Sequence, residues 1–288
     1  MKFSVFTAST PEWTPSEAAK ILAEQGWDGI EWRITDQSAP EGATGFWAGN
    51  KATWPLTGLE DSLEEIKAIT ADAGLEFSSI GGYVPPTRRD DADRMLAATA
   101  ALGAGRVRIA GLEVADDQTY REAFAACREH WEWVEDRARH HGVRALVELH
   151  HDTLTPSASA ARRLLEGLDP AHVGVIHDIG NIVIEGWEKP VHGLDLLGEY
   201  LAHVHVKNAA FQLTGVESDG TLRWEPNWVP LREGRAHLPE FFRALAAVGY
   251  DGWVAVEDFS DAAPLAERTA ANLEYLRSIA VAAGYDLG

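Results

Sequence analysis

Eight times along 288 residues a short apolar run is followed by a longer amphipathic stretch, and few folds accommodate that order. Phe3-Ser-Val-Phe6 reads as a strand, and the helix-start pattern Thr14-Pro15-Ser16-Glu17 follows it, with Ala18, Ile21 and Leu22 at helical spacing and a stop at Gly26. Gly29-Ile-Glu-Trp-Arg33 supplies a second strand. The unit then recurs: helix 59–73, strand 75–80, helix 90–102, strand 106–110, helix 119–141, strand 143–149, helix 157–167, strand 172–177, helix 192–199, strand 201–206, helix 237–248, strand 252–256 and helix 264–282. Eight consecutive βα units predict a closed (β/α)8 barrel, an α/β fold forming one domain over residues 1–288. An open doubly wound sheet holding a nucleotide needs a Gly-rich turn after its first strand, and Thr7-Ala-Ser-Thr-Pro-Glu12 has none. Walker-type and G-x-S-x-G motifs are absent as well. Two long connections, 34–57 and 207–235, interrupt the regular spacing; they are expected to cover the barrel mouth with Trp47, Trp54, Trp224 and Trp228.

Charge narrows the partners. With 25 Lys and Arg against 45 Asp and Glu the net charge is −20, a field of the wrong sign for nucleic acid or an anionic membrane. No run of about 18 apolar residues occurs, and the N-terminus lacks a long apolar leader. A single Cys127, read as a packed helix thiol, rules out a disulfide framework; the expected location is the cytoplasm. Eleven Trp leave stacking on a carbohydrate open for one or two of those near the mouth.

Active sites of such barrels lie at the C-terminal ends of the strands. Four residues stand there in consecutive units: Glu148 after Ala145-Leu-Val, Asp178 after Val173-Gly-Val-Ile-His, His205 within Leu201-Ala-His-Val-His-Val, and Glu257 after Trp253-Val-Ala-Val. Strand alternation puts Glu148 with His150 on one face, and His203, His205 and Lys207 on another. A lone carboxylate at a strand end often only caps a helix or pairs with a Lys. Three converging carboxylates repel one another by several kcal/mol at intermediate dielectric, which a divalent cation relieves. Oxygen-rich ligation with one imidazole favours octahedral Mn²⁺, Mg²⁺ or Co²⁺ over structural zinc, with Zn²⁺ still open by affinity.

The runs Val147-Glu148-Leu-His150, His177-Asp178-Ile-Gly-Asn181, His203-Val-His205-Val-Lys207-Asn208 and Val256-Glu257-Asp258-Phe259 resemble, in order, the motifs of the xylose isomerase-like TIM barrels. That superfamily includes sugar isomerases, ketose 3-epimerases, inosose dehydratase and an endonuclease branch. The resemblance implies one divalent metal, Mn²⁺ in first place, held by Glu148, Asp178, His205 and Glu257, with Glu148 and Glu257 also moving protons. It extends substrate contacts to His150 and Lys207. Asn181 stands where the family often carries His, which argues against a multi-zinc site, and Asn181 is taken as a substrate contact. Arg33 at the end of strand two and Arg235 in Arg232-Glu-Gly-Arg235 complete the expected substrate-binding set, Arg being suited to bidentate recognition.

The chemistry of such a site is proton abstraction α to a carbonyl, with the cation stabilising an enediolate. The expected function is a metal-dependent sugar or sugar-phosphate isomerase or epimerase. The alternative is a β-eliminating lyase or dehydratase acting on a keto-inositol or 3-keto-glycoside. The expected partner is a small carbohydrate, with no nucleic acid and no membrane, and a homo-oligomer is left open.

Overall fold

The computed structural model describes residues 1–40 and 42–287, so position 41 of the first long connection lies outside the described residues. The chain runs β1 (Lys2–Phe6), α1 (Pro15–Gln25), β2 (Gly29–Ile34), α2 (Leu59–Asp72), β3 (Glu76–Gly82), α3 (Arg89–Leu102), β4 (Arg106–Arg108), α4 (Tyr120–His141), β5 (Arg144–Glu148) and α5 (Ala158–Leu165). It continues through β6 (Val173–Asp178), α6 (Ile179–Ile184), α7 (Pro190–Leu197), β7 (Leu201–Val206), β8 (Asn208–Val216), β9 (Leu222–Val229), α8 (Leu238–Ala247), β10 (Trp253–Val256) and α9 (Leu265–Ala282). Eight parallel strands close in the order β1-β10-β7-β6-β5-β4-β3-β2, as the alternation predicted.

The helix starts follow from local chemistry. Thr14 accepts from the Glu17 amide while the Glu17 carboxylate accepts from the Thr14 amide, and Thr119 and Glu122 repeat the exchange at α4. On α4 the buried residues Ala123, Cys127, Trp131, Val134 and Ala138 fall on one stripe and face the barrel. Inside the barrel, Leu146 and Ile176 pack with Ala202, one alternation step below Glu148 and Asp178. Apolar packing thus forms a floor beneath the polar mouth.

Two glycines make the mouth possible. A Cβ on Gly81 would meet the Phe6 ring at 2.0 Å, so only glycine on β3 lets that ring enter the barrel. A Cβ on Gly180 would lie 2.3 Å from the Lys207 side chain, so glycine opens the path by which Lys207 reaches Asp178.

Three local expectations are corrected. The 207–235 connection is largely an antiparallel hairpin, β8 and β9, turning through Glu217–Thr221. Alternating residues and the Asp219-Gly220 pair were its signal; Pro226 disguised it, and is tolerated because the ribbon has only two strands, both edges. The short α6 was missed because Asp178-Ile-Gly-Asn reads as a turn, whereas the Asp178 carboxylate caps it by accepting from the amides of Gly180 (2.8 Å) and Asn181 (3.0 Å). Strand four ends at Arg108 instead of residue 110.

Candidate metal centre and active site

Glu148, Asp178, His205 and Glu257 come from the ends of β5, β6, β7 and β10, and all four are buried. One ligand atom from each lies within 4.8 Å of the others. His205 Nδ1 faces this group, 3.1 Å from Glu148 Oε1 and 3.4 Å from Glu257 Oε1. The four metal ligands expected from the sequence are therefore brought together.

Two cations hold the carboxylates apart. Arg108 donates to Glu148 Oε2 at 2.6 Å, and its guanidinium lies over the rings of Tyr83 (4.1 Å) and Phe6 (5.5 Å). Lys207 donates to Glu257 Oε2, and its Nζ sits 2.7 Å from Asp178 Oδ2. Burial alone would raise the Glu148 carboxyl, but Arg108 and the neighbouring His205 hold it well below the ordinary range. Burial pushes Asp178 up to about 7, opposed by Lys207 and reinforced by Glu257 and Glu148. Burial opposes the charge on Lys207, yet Asp178, Glu257 and Glu148 raise it above its usual range.

Beneath this layer lies a second one that the sequence reading did not single out. Glu31 on β2 is fully buried, and its Oε2 is 3.0 Å from both His203 Nε2 and His205 Nε2. Burial would raise the Glu31 carboxyl, but His205 and His203 hold it below the normal carboxylate range. Burial depresses His203 to about 4, so that imidazole is neutral and donates through Nε2. His205 is driven the other way: burial disfavours its charge, but Glu31 and Glu257 raise it well above its ordinary value. The arrangement fixes the His205 ring, with Nε2 turned to a carboxylate and Nδ1 turned to the ligand cluster, as in carboxylate–histidine–metal triads. Glu31 and Arg108 had a signal, each being a charged residue inside an apolar strand run whose partner lies on another strand.

The donor set fits a divalent cation. Three carboxylates and one imidazole nitrogen converge in a buried space, where the single Lys207 ammonium is shared between Asp178 and Glu257. Buried carboxylates this close repel one another, a cost that a divalent cation relieves.

The substrate-binding expectations divide. Half-buried His150 lines the cleft above the carboxylates; its Nδ1 donates to the His151 carbonyl at 2.7 Å, leaving Nε2 as the acceptor, and burial lowers its affinity for a proton. Lys207 lines the same cleft. Asn181 is buried, donates to the Leu149 carbonyl at 3.0 Å and keeps Oδ1 without a partner, so it ties α6 to the end of β5. Arg33 is buried and donates to the Phe46 carbonyl (3.2 Å) and Thr53 (3.0 Å), lying over the rings of Tyr83 and Trp47. It braces the first long connection. Arg235 does not line the cleft: its amide donates to the Ala209 carbonyl, its guanidinium lies over Trp187, and it lines a separate recess with Phe211 and Trp224. Of the four Trp expected at the mouth, Trp47 and Trp228 reach it. Trp54 is core, packed edge-on against Trp32 at 6.1 Å, and Trp224 is exposed on the hairpin.

Two motif residues have structural work. Asn208 bonds the Leu231 and Ala236 backbone and closes the base of the hairpin, and Asp258 accepts from Ser260 and Asn272 beside Glu257.

The family model described as xylose isomerase-like TIM barrel matches residues 19–279. An inosose dehydratase of Bacillus anthracis is 25% identical over 272 residues, covering 87% of this chain and 88% of that protein. One from Lacticaseibacillus casei is 26% identical over 147 residues, and there the match spans 44% of each chain, less than half the relative's length. Among solved structures, the IOLI protein with a bound zinc atom superposes with a TM-score of 0.75 at 15% identity, over 99% of this chain and 100% of that one. The 3-keto-D-glucoside 4-epimerase of E. coli gives 0.72 at 18%, over 96% and 99%. At these identities the structural likeness is one of fold.

Proposed function

The chain belongs to the xylose isomerase-like TIM barrel family, and from that premise we propose that it is a divalent-metal-dependent sugar isomerase or epimerase that moves a proton α to a carbonyl. The observation that carries this reading is the buried group of Glu148, Asp178, His205 and Glu257, with one ligand atom from each within 4.8 Å of the others. When bound, Mn²⁺ or a similar cation supplies Lewis-acid polarisation of the substrate oxygens. The rest falls to the chain. Glu148 and Glu257 stand on β5 and β10, with β6 and β7 between them in the ring, so their carboxylates approach the centre from separate sides. One takes the proton and the other returns it. Arg108 keeps Glu148 ionised and oriented, and Lys207 orients Glu257. Neutral His150, with Nε2 free to accept, receives a substrate hydroxyl at the rim. Trp47 and Phe259, 4.8 Å apart, limit water above the centre.

Elimination is the second reading, favoured by the inosose dehydratase relatives. It uses the same proton abstraction, followed by departure of a β-hydroxyl instead of return of the proton. One experiment separates the outcomes: the protein loaded with Mn²⁺ or Mg²⁺ is incubated in D₂O with a panel of ketoses, keto-inositol and keto-glycosides, and products are read by NMR. Deuterium at the α-carbon with an isomeric product supports the first reading, and an unsaturated product supports the second. Absence of exchange across the panel refutes both.

A further inference from the structure

The cleft above the carboxylates does not end at them. An inner cavity of about 420 Å³ is walled by Tyr83, Arg108, Glu148, Thr153 and Glu257. A second cavity of about 290 Å³ opens beside it against Ile184, Pro226, Trp228 and Phe259. Trp47, His150, His151 and Lys207 line both, so the two are neighbouring compartments of one cleft.

Their chemistry differs. The inner compartment offers charged and hydroxyl groups on several sides, matching the hydroxyls of a sugar ring. In the outer one every charged or imidazole side chain lies on the shared boundary, and the far wall offers side-chain hydrogen bonding only through indole N–H. Its aromatic members are mutually tilted, Phe259 lying 4.8 Å from Trp47 and 6.1 Å from Trp228. The same hairpin face continues outward through Phe211, Leu213 and Trp224, paired across the strands with Pro226, Trp224 and Leu213. A second pyranose seated here would bury hydroxyls without partners, each costing about 1–3 kcal/mol. A flat apolar ring avoids that penalty and gains edge and face contacts with the indoles and Phe259.

We propose that the substrate is a sugar carrying an aryl substituent, with the sugar ring in the inner compartment and the aryl group in the outer one. This rests on the sugar-handling reading of the inner compartment. The test compares binding of 4-nitrophenyl β-D-glucopyranoside and methyl β-D-glucopyranoside to the full chain loaded with Mg²⁺, by saturation-transfer NMR and titration calorimetry. The aryl glucoside is expected to bind at least about tenfold tighter, with the strongest saturation transfer on its aryl protons. Trp228→Ala and the milder Trp228→Leu should each reduce that ratio to within about twofold, while circular dichroism, metal stoichiometry and methyl glucoside affinity stay as in the parent. A parent ratio near one, no detectable binding of the aryl glucoside, or a ratio preserved in both variants overturns the proposal. Failure of the D₂O exchange assay with an intact ratio would instead sink the reaction assigned above and leave the aryl compartment standing.

Discussion

At the scale of single residues, the site is a set of charges that only make sense in pairs. Glu148 pairs with Arg108, Glu257 and Asp178 share Lys207, and His205 is held between two carboxylate layers. Glu31 is the group that sets which nitrogen of His205 points at the ligand cluster. Glu31→Gln keeps the shape but can turn its amide N–H₂ towards the imidazoles, so metal affinity is expected to fall by about 10–100-fold, the range seen for lost outer carboxylates. Competition of Co²⁺ or Mn²⁺ against a chelating dye measures this without reference to turnover, and unchanged affinity would refute the role. The four residues of the candidate centre could be picked out in the sequence because each stands at or near the end of an apolar run in a consecutive unit. Glu31 and Arg108 gave only the weaker signal of a charge inside an apolar strand run, since their partners lie 174 and 40 positions away, across the barrel for Glu31 and on the adjacent strand for Arg108.

At the scale of elements, periodicity found the barrel strands and their helices, and failed where side-chain contacts overrode it. The β8–β9 hairpin and α6 depend on Asn208 and on Asp178 Oδ1, which satisfy local backbone groups that no periodic pattern announces. Arg235 was expected as a substrate contact from the Arg232-Glu-Gly-Arg235 turn, whereas its amide is tied to the Ala209 carbonyl at the base of the hairpin and its guanidinium to Trp187. Helix α4 illustrates the opposite case, in which a simple stripe is right. Cys127 lies on that stripe, and burial pushes its thiol up to about 12 from an ordinary value of 9.0. With the folded value raised, the unfolded chain loses this proton first as pH rises. Stability is therefore whole below about pH 9 and declines by up to about 1.4 kcal/mol per pH unit towards pH 12. Tyr250 and Tyr285, also raised by burial, add to the decline. The contribution of the thiol is read as the difference between parent and Cys127→Ala in urea unfolding at pH 8, 9.5 and 10.5. The variant is expected to have the shallower slope, and parallel slopes would contradict it.

At the scale of the whole molecule, eight strands bring six buried acidic or imidazole groups together, in a chain already at −20. Binding of a divalent cation to the folded form alone should raise the melting temperature, by an amount that grows with the logarithm of free metal above its dissociation constant. Calorimetry with Mn²⁺, and after chelation, measures this; Asp178→Asn is expected to flatten the response. Melting temperatures that ignore metal in the parent would argue against the centre. The seam of the barrel has a further consequence for how the molecule comes into being. β1 pairs with β10, Lys2 opposite Trp253 and Val5 opposite Val256, while Glu31 on β2 meets His203 on β7. On a ribosome adding about 5–20 residues per second, the first strand waits more than ten seconds for its neighbour to emerge. Until then the ring is open, Glu257 is absent from the mouth, and β1 offers an unpaired edge. The four-residue centre is thus completed in a single late step, coincident with the removal of that edge, and nascent chains halted before Trp253 should be the ones most dependent on chaperones.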